Sequence, residues 1–175
     1  MSTFTISRQI YIDAGHRVLT HGSKCRNLHG HRYMIEAFCA AGRLQESGEQ
    51  ADMVLDFGFL KEEMLAVIDA PCDHGFLAHV EDAGLLAMFR PDDAGPEWLE
   101  AVRAAVARDG YCLTTRTRMD SKLYVLDANP TAEQLARHWY HRLKPVVAAR
   151  SDGLARLAEL VVWETPNCRA VYREP

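Results

Sequence analysis

No apolar run in this 175-residue sequence approaches the roughly 18 residues needed to cross a bilayer, so no membrane partner is expected. The first residues, MSTFTISRQIYIDAGHR, alternate polar and apolar side chains and contain no signal-peptide apolar block. The five cysteines show no paired spacing, which points to reduced thiols in the cytoplasm rather than a disulfide framework. Charge of one sign is not in excess: 20 basic against 24 acidic residues leave −4, and nucleic acid is not an expected partner. Internal repeats and low-complexity segments are absent, as is the H-E-x-x-H pattern of many zinc hydrolases. What remains is the composition of one globular domain over 1–175, with 48 % hydrophobic and 25 % charged residues. Its eight histidines are its most informative feature.

From Phe4 to His16 the even positions are mostly apolar, which predicts a half-buried strand ending at His16 on its buried face. A second strand is predicted over about 29–41, with His29, His31, Tyr33, Ile35, Ala37 and Cys39 on one face. Phe57, Leu60, Met64 and Ile68 form a helical stripe that Pro71 should stop. Thr131 and Gln134 form a capping-box pattern at the start of a later helix, which Pro145 should kink or end. Two β-type runs close the chain, 157–164 and about 170–172, around a Pro166-Asn167 turn. Residues 80–124 differ in character, with one amphipathic helix over 96–108 stopped by Asp109-Gly110. The order ββα(insertion)αββ predicts an α+β fold, an antiparallel sheet backed by helices.

His29 and His31 are two residues apart on a predicted strand, so both imidazoles leave the same face. With His16 at the end of the neighbouring strand they offer three nitrogens and an open fourth position, the pattern of a catalytic rather than a structural zinc site. Cys25 lies between Lys24 and Arg26, whose charge favours a thiolate. Asp73-His74 is a candidate acid–base dyad, although adjacent residues on an extended chain point apart. Glu164 ends the apolar run Leu160-Val161-Val162-Trp163, where a carboxylate needs a partner: an arginine, a backbone turn, or a planar ligand with two N–H donors.

Together these stretches resemble the 6-pyruvoyl-tetrahydropterin synthase and 6-carboxytetrahydropterin synthase family. The resemblance rests on Ala14-Gly15-His16-Arg17, Cys25-Arg26-Asn27-Leu28-His29-Gly30-His31, Met53 to Phe57 with Leu60-Lys61, Asp73-His74, Asn129 to Glu133, and Glu164-Thr165 with Tyr172. It implies a tunnelling fold (T-fold), a four-stranded antiparallel sheet backed by two helices, assembled into homo-oligomers (trimer or hexamer) with active sites at subunit interfaces. It also implies zinc held by His16, His29 and His31, with 7,8-dihydroneopterin triphosphate as substrate. Cys25 would move protons with Asp73 and His74, often from a neighbouring subunit. Glu164 would bind the pterin, with Thr131 and Glu133 as further contacts.

Three features depart from the family pattern: Gly15 where small alanine-like residues usually precede the first histidine, Gln134 where asparagine is frequent, and the insertion at about 80–124. Within that insertion Arg116 and Arg118 are candidates for holding phosphates. The resemblance leans to a zinc-dependent lyase forming 6-carboxy-5,6,7,8-tetrahydropterin on the route to deazapurine nucleosides such as queuosine. The same site could instead stop at the 6-pyruvoyl product, or the insertion could have made the chain a non-catalytic zinc- and pterin-binding subunit.

Overall fold

A computed structural model describes residues 3–175; Met1 and Ser2, the start of the expected 1–175 domain, lie outside the described residues. In chain order the elements are β1 (Phe4–His16), β2 (His29–Ala41), α1 (Phe57–Met64), α2 (Ala70–Cys72), β3 (Gly75–His79), α3 (Ala83–Phe89), α4 (Glu97–Asp109), β4 (Tyr111–Thr114), β5 (Leu123–Leu126), α5 (Ala132–Arg150), β6 (Arg156–Thr165) and β7 (Cys168–Tyr172). None of the described helices is long and apolar enough to cross a membrane.

The expected antiparallel strands are present as β1, β2, β6 and β7, paired in that order, with β1 and β2 in register from Phe4↔Ala41 to His16↔His29. The expected four-stranded sheet is nevertheless incomplete. All seven strands form one mixed sheet, β4-β5-β3-β1-β2-β6-β7, in which β3 runs parallel to both β1 and β5. The physical reason lies in the insertion. β3, just before the insertion, pairs with the exposed edge of β1, where N–H and C=O groups at Ala14–His16 accept the ladder of Gly75–Leu77, and β5 and β4 extend the sheet beyond it.

Helices α1 and α5 cover one face of the antiparallel strands, burying Ile10, Ile12, Tyr33, Ile35, Leu160 and Val162 against Leu60, Met64, Leu135, Trp139 and Leu143. A second apolar cluster covers the other face of the added strands, where Leu85, Leu86 and Phe89 of α3 and Trp98, Val102 and Val106 of α4 enclose Ala78, Leu123 and Val125. The sheet is therefore covered on one side at β2 and on both sides at β5.

Pro71 does not stop the first helix where it stands. Between α1 and α2 the backbone takes one π turn, Leu65–Asp69, and the helix runs through Pro71 to Cys72. Proline lacks the N–H that would reach the Val67 carbonyl, and Arg142 Nη1 donates to that carbonyl instead (3.0 Å). Pro145 likewise does not end α5, which continues to Arg150 and buries Val147. The capping box at its start is half made. Thr131 Oγ1 accepts from the Gln134 N–H (3.4 Å), while the Thr131 N–H donates to the Asn129 carbonyl (2.8 Å). The Gly15 departure has a packing cause, because a Cβ there would lie 2.6 Å from the Phe76 ring of the neighbouring strand β3.

Candidate active site

The ends of β1 and β2 carry the three histidines to one point. His16 and His29 face each other across the ladder, and His31 lies opposite Ala14. One ligand nitrogen from each lies within 4.8 Å of the others. Two backbone carbonyls set the tautomers: His16 Nδ1–H donates to Pro130 O and His29 Nδ1–H to Asn27 O, each at 2.8 Å. A carbonyl can only accept, so Nδ1 holds the proton and Nε2 presents a lone pair. His16 Nε2 and His31 Nε2 are buried without a hydrogen-bond partner. Burial pushes His16 down to about 4, against the opposing bond to Pro130, and the neighbouring imidazoles push it further. Burial also lowers His31. Neutral imidazoles with buried, unpartnered nitrogens converging on one point fit a divalent metal with nitrogen-ligand chemistry.

Glu164, at the end of β6, borders this trio, with Oε1 3.6 Å from His16 Nε2 and 3.8 Å from His31 Nε2. No arginine pairs with it among the described residues. Beside it opens a cleft of about 310 Å³ lined by Cys25, Thr131, Glu133 and Glu164, together with Val18, His21, Cys168 and Arg169. Four of the expected site residues thus share one cavity next to the histidines. The loop bearing Cys25 is fixed by the Val18 N–H donating to the Cys25 carbonyl (2.8 Å) and by a short 3-10 turn, Lys24–Arg26.

Asp73 and His74 lie elsewhere. His74 borders a separate cleft of about 440 Å³ together with Asp13, Gly30, His31 and Arg32, and Cys25 is not among its lining residues. The two side chains do meet, because His74 takes a left-handed φ of 54° and so turns back to its neighbour. His74 Nδ1–H donates to Asp73 Oδ2 (2.7 Å), and Asp73 Oδ1 accepts from the Asp13 N–H (2.8 Å). Burial opposes ionisation of Asp73, but the Asp13 N–H and the His74 imidazole hold it below the usual carboxylate range. The bond to Asp73 raises His74.

Arg116 and Arg118 border neither cleft. They pair with Asp93 (3.5 Å) and Asp92 (2.8 Å) on the exposed surface of the added segment. Arg169 is the arginine that the cleft contains, and sequence reasoning passed over it. So it did Tyr33, whose hydroxyl is buried without a partner and whose ring lies 5.9 Å from His16 and 5.6 Å from His31. Its place on the face of His29 and His31 was the available signal. Arg169 had none, since only the β6–β7 hairpin brings it to the cleft.

A thiol, carboxylates and a trio of metal-competent imidazoles around one cavity, on strands backed by two long helical segments, define an α+β enzyme class. The chain belongs to the 6-pyruvoyl tetrahydropterin synthase family, whose model matches residues 5–175. A Rickettsia felis protein named 6-carboxy-5,6,7,8-tetrahydropterin synthase is 31 % identical over 162 residues, 93 % of this chain and 94 % of the relative. A Haemophilus influenzae protein of the same name is 29 % identical and covers 98 % of this chain and 99 % of its own. Relatives of nearly the same length therefore exist, and the added segment is not peculiar to this chain. Among solved structures, an uncharacterized protein from Wolinella succinogenes superposes with a TM-score of 0.73 at 18 % identity over the whole of both chains. The Caenorhabditis elegans 6-pyruvoyl tetrahydropterin synthase gives 0.58 at 21 %, covering 100 % of this chain and 98 % of that one. These likenesses establish the fold, and family membership makes the chain a pterin-synthase-type enzyme.

Proposed function

We propose that this chain is a zinc-dependent lyase that converts 7,8-dihydroneopterin triphosphate to 6-carboxy-5,6,7,8-tetrahydropterin. The reaction eliminates triphosphate and cleaves the side chain with release of acetaldehyde, in the cytoplasm, on the route to deazapurine nucleosides such as queuosine. The observation that carries this reading is the convergence of His16, His29 and His31 beside a cleft that also contains Cys25 and Glu164. The names of the relatives favour the 6-carboxy product.

His16, His29 and His31 would hold the zinc, which when bound would polarise the side-chain hydroxyls of the substrate and acidify the adjacent C–H. Glu164 accepts hydrogen bonds from the pterin amino group and ring N–H, which answers its lack of an arginine partner. Thr131 and Glu133 extend that contact. Cys25 takes up and returns protons at the substrate side chain, and the Asp73–His74 pair supplies the complementary acid and base. Because Cys25 and His74 line different clefts of one chain, the working site combines the Cys25 cleft of one copy with the Asp73–His74 turn of another. The open face of the sheet supports a homo-oligomer, trimer or hexamer, since Tyr11, Met34 and Trp163 border an apolar hollow of about 460 Å³ there.

Incubation of the zinc-loaded protein with 7,8-dihydroneopterin triphosphate, with products identified by mass spectrometry, tests the reading. A 6-carboxytetrahydropterin mass with acetaldehyde supports it, and a 6-pyruvoyl product moves the chain to the other branch of the family. Untouched substrate, with Cys25→Ala binding zinc and pterin as the parent does, would leave a binding subunit.

A further inference from the structure

The dyad turn is held from two sides. On one side β1 grips it, with the His74 N–H donating to Asp13 O (2.7 Å) and the Asp13 N–H to Asp73 Oδ1 (2.8 Å). On the other side stands Lys122, the residue before β5 in the added segment. Its Nζ donates to Ala70 O (2.8 Å) and to Asp73 O (2.7 Å), so one ammonium ties the carbonyl end of α2 to the peptide that leads into His74. The Lys122 carbonyl accepts from the Phe76 N–H (2.9 Å), just past the turn. Gly75 permits this approach, because a Cβ there would lie 3.0 Å from Cys72 O and 3.3 Å from both Lys122 Cδ and Lys122 O.

His74 is a non-glycine residue at a φ of 54°, a conformation that persists only when its surroundings dictate it. Its side chain is 79 % exposed, so packing does not hold it. The hydrogen bonds from Asp13 and Lys122 do.

We infer that Lys122 is a positioning residue, and that the added segment serves the active site by bracing the Asp73–His74 turn through it. This rests on reading Asp73 and His74 as the acid–base pair. The charged and titratable groups facing His74 are Asp73, Asp13 and Lys122, with His31 and Arg32 bordering the same cleft.

The test uses the full-length, zinc-loaded protein and its Lys122→Met and Lys122→Arg variants, with His74 titrated by NMR alongside steady-state kinetics. In Lys122→Met the turn relaxes and His74 loses its bond to Asp73, so the His74 titration falls toward the ordinary 6.5. There kcat drops on the order of ten- to a hundredfold, with KM and metal content nearly unchanged. Lys122→Arg restores the titration and most of kcat. An unchanged or raised His74 pKa in Lys122→Met overturns the inference, since removing a bystander cation could only raise it. If Lys122→Met does not fold, Lys122→Ser keeps a polar side chain too short to reach either carbonyl and is read by the same titration. Wild-type kcat in Asp73→Asn would sink the acid–base reading alone, leaving the titration to judge the brace.

Discussion

Strand β2 is covered by helices on one face and open on the other, whereas β5 is covered on both. The difference shows in the residues: β2 alternates buried Tyr33, Ile35 and Ala37 with Arg32, Met34 and Glu36, while Leu123, Tyr124, Val125 and Leu126 are all buried. The half-covered strand carries His29 and His31 of the candidate metal trio at its outer end. The fully covered strand carries no site residue, and it anchors the segment that steadies the Asp73–His74 turn. A second tie between the halves is the pair Arg17–Asp82. The residue after His16 meets a buried carboxylate whose Oδ1 also caps α3 through the Leu85 N–H (3.0 Å). Burial opposes the charge of Asp82, and the Arg17 guanidinium holds it below the usual carboxylate range.

The sharpest way to separate the halves is to strike each alone. His29→Ala removes one imidazole of the proposed zinc site from the half-covered side, and we expect turnover below about 1 % of wild type with metal lost by elemental analysis. Full metal retention there would remove the trio from the site. Leu86→Ala opens a cavity in the second cluster and should cost about 2–5 kcal/mol in urea denaturation. Hydrogen exchange should then rise over β3–β5 more than over β1 and β2, and a uniform rise would make the two halves one cooperative unit.

Acid should act on the site half through His16. Its folded pKa of about 4 lies below the ordinary 6.5, so the unfolded chain takes up the proton first. Stability of the metal-free protein is therefore full above 6.5 and declines as pH falls toward 4, by up to about 3 kcal/mol from this residue. His138, half-buried beside Tyr124 and also lowered to about 4 by desolvation, adds to the same slope from the junction of the halves. Urea midpoints of the parent and His16→Asn across this range would show it, and equal slopes would contradict the assignment to His16. The smallest effect belongs to Arg118→Ala. Its pair with Asp92 is exposed, so stability should move by less than about 0.5 kcal/mol, with KM unchanged. A raised KM would return Arg118 to the substrate.

Alternation made β1 and β2 legible because each has one wet face along most of its length, while β6 showed as the apolar run Leu160-Val161-Val162-Trp163 and β7 as a short β-type run after the turn. Alternation could not reveal β3, β4 and β5, which are four or five residues long. In β5 burial on both faces erases the alternation. The convergence of the three histidines was readable because His29 and His31 share one strand face and His16 ends a neighbouring strand. Joining Asp73 to His74 required the left-handed turn, for which no glycine or asparagine stands as a signal. Lys122 lies 49 residues from the carbonyl of Asp73 that it binds, and no local pattern spans that distance.

By itself the sequence determined the chemistry available to this protein. The imidazoles, the thiol and the carboxylates, and the strand faces from which the histidines leave, follow from residue identity and a period of two. Tertiary structure alone decided which of these groups share a cavity. Cys25 and Glu164 line one cleft beside the histidines, His74 opens onto another, and Arg169 rather than Arg116 or Arg118 borders the first. The reason is that local pattern records which way a side chain points, while the company it keeps depends on strand order and on long-range hydrogen bonds.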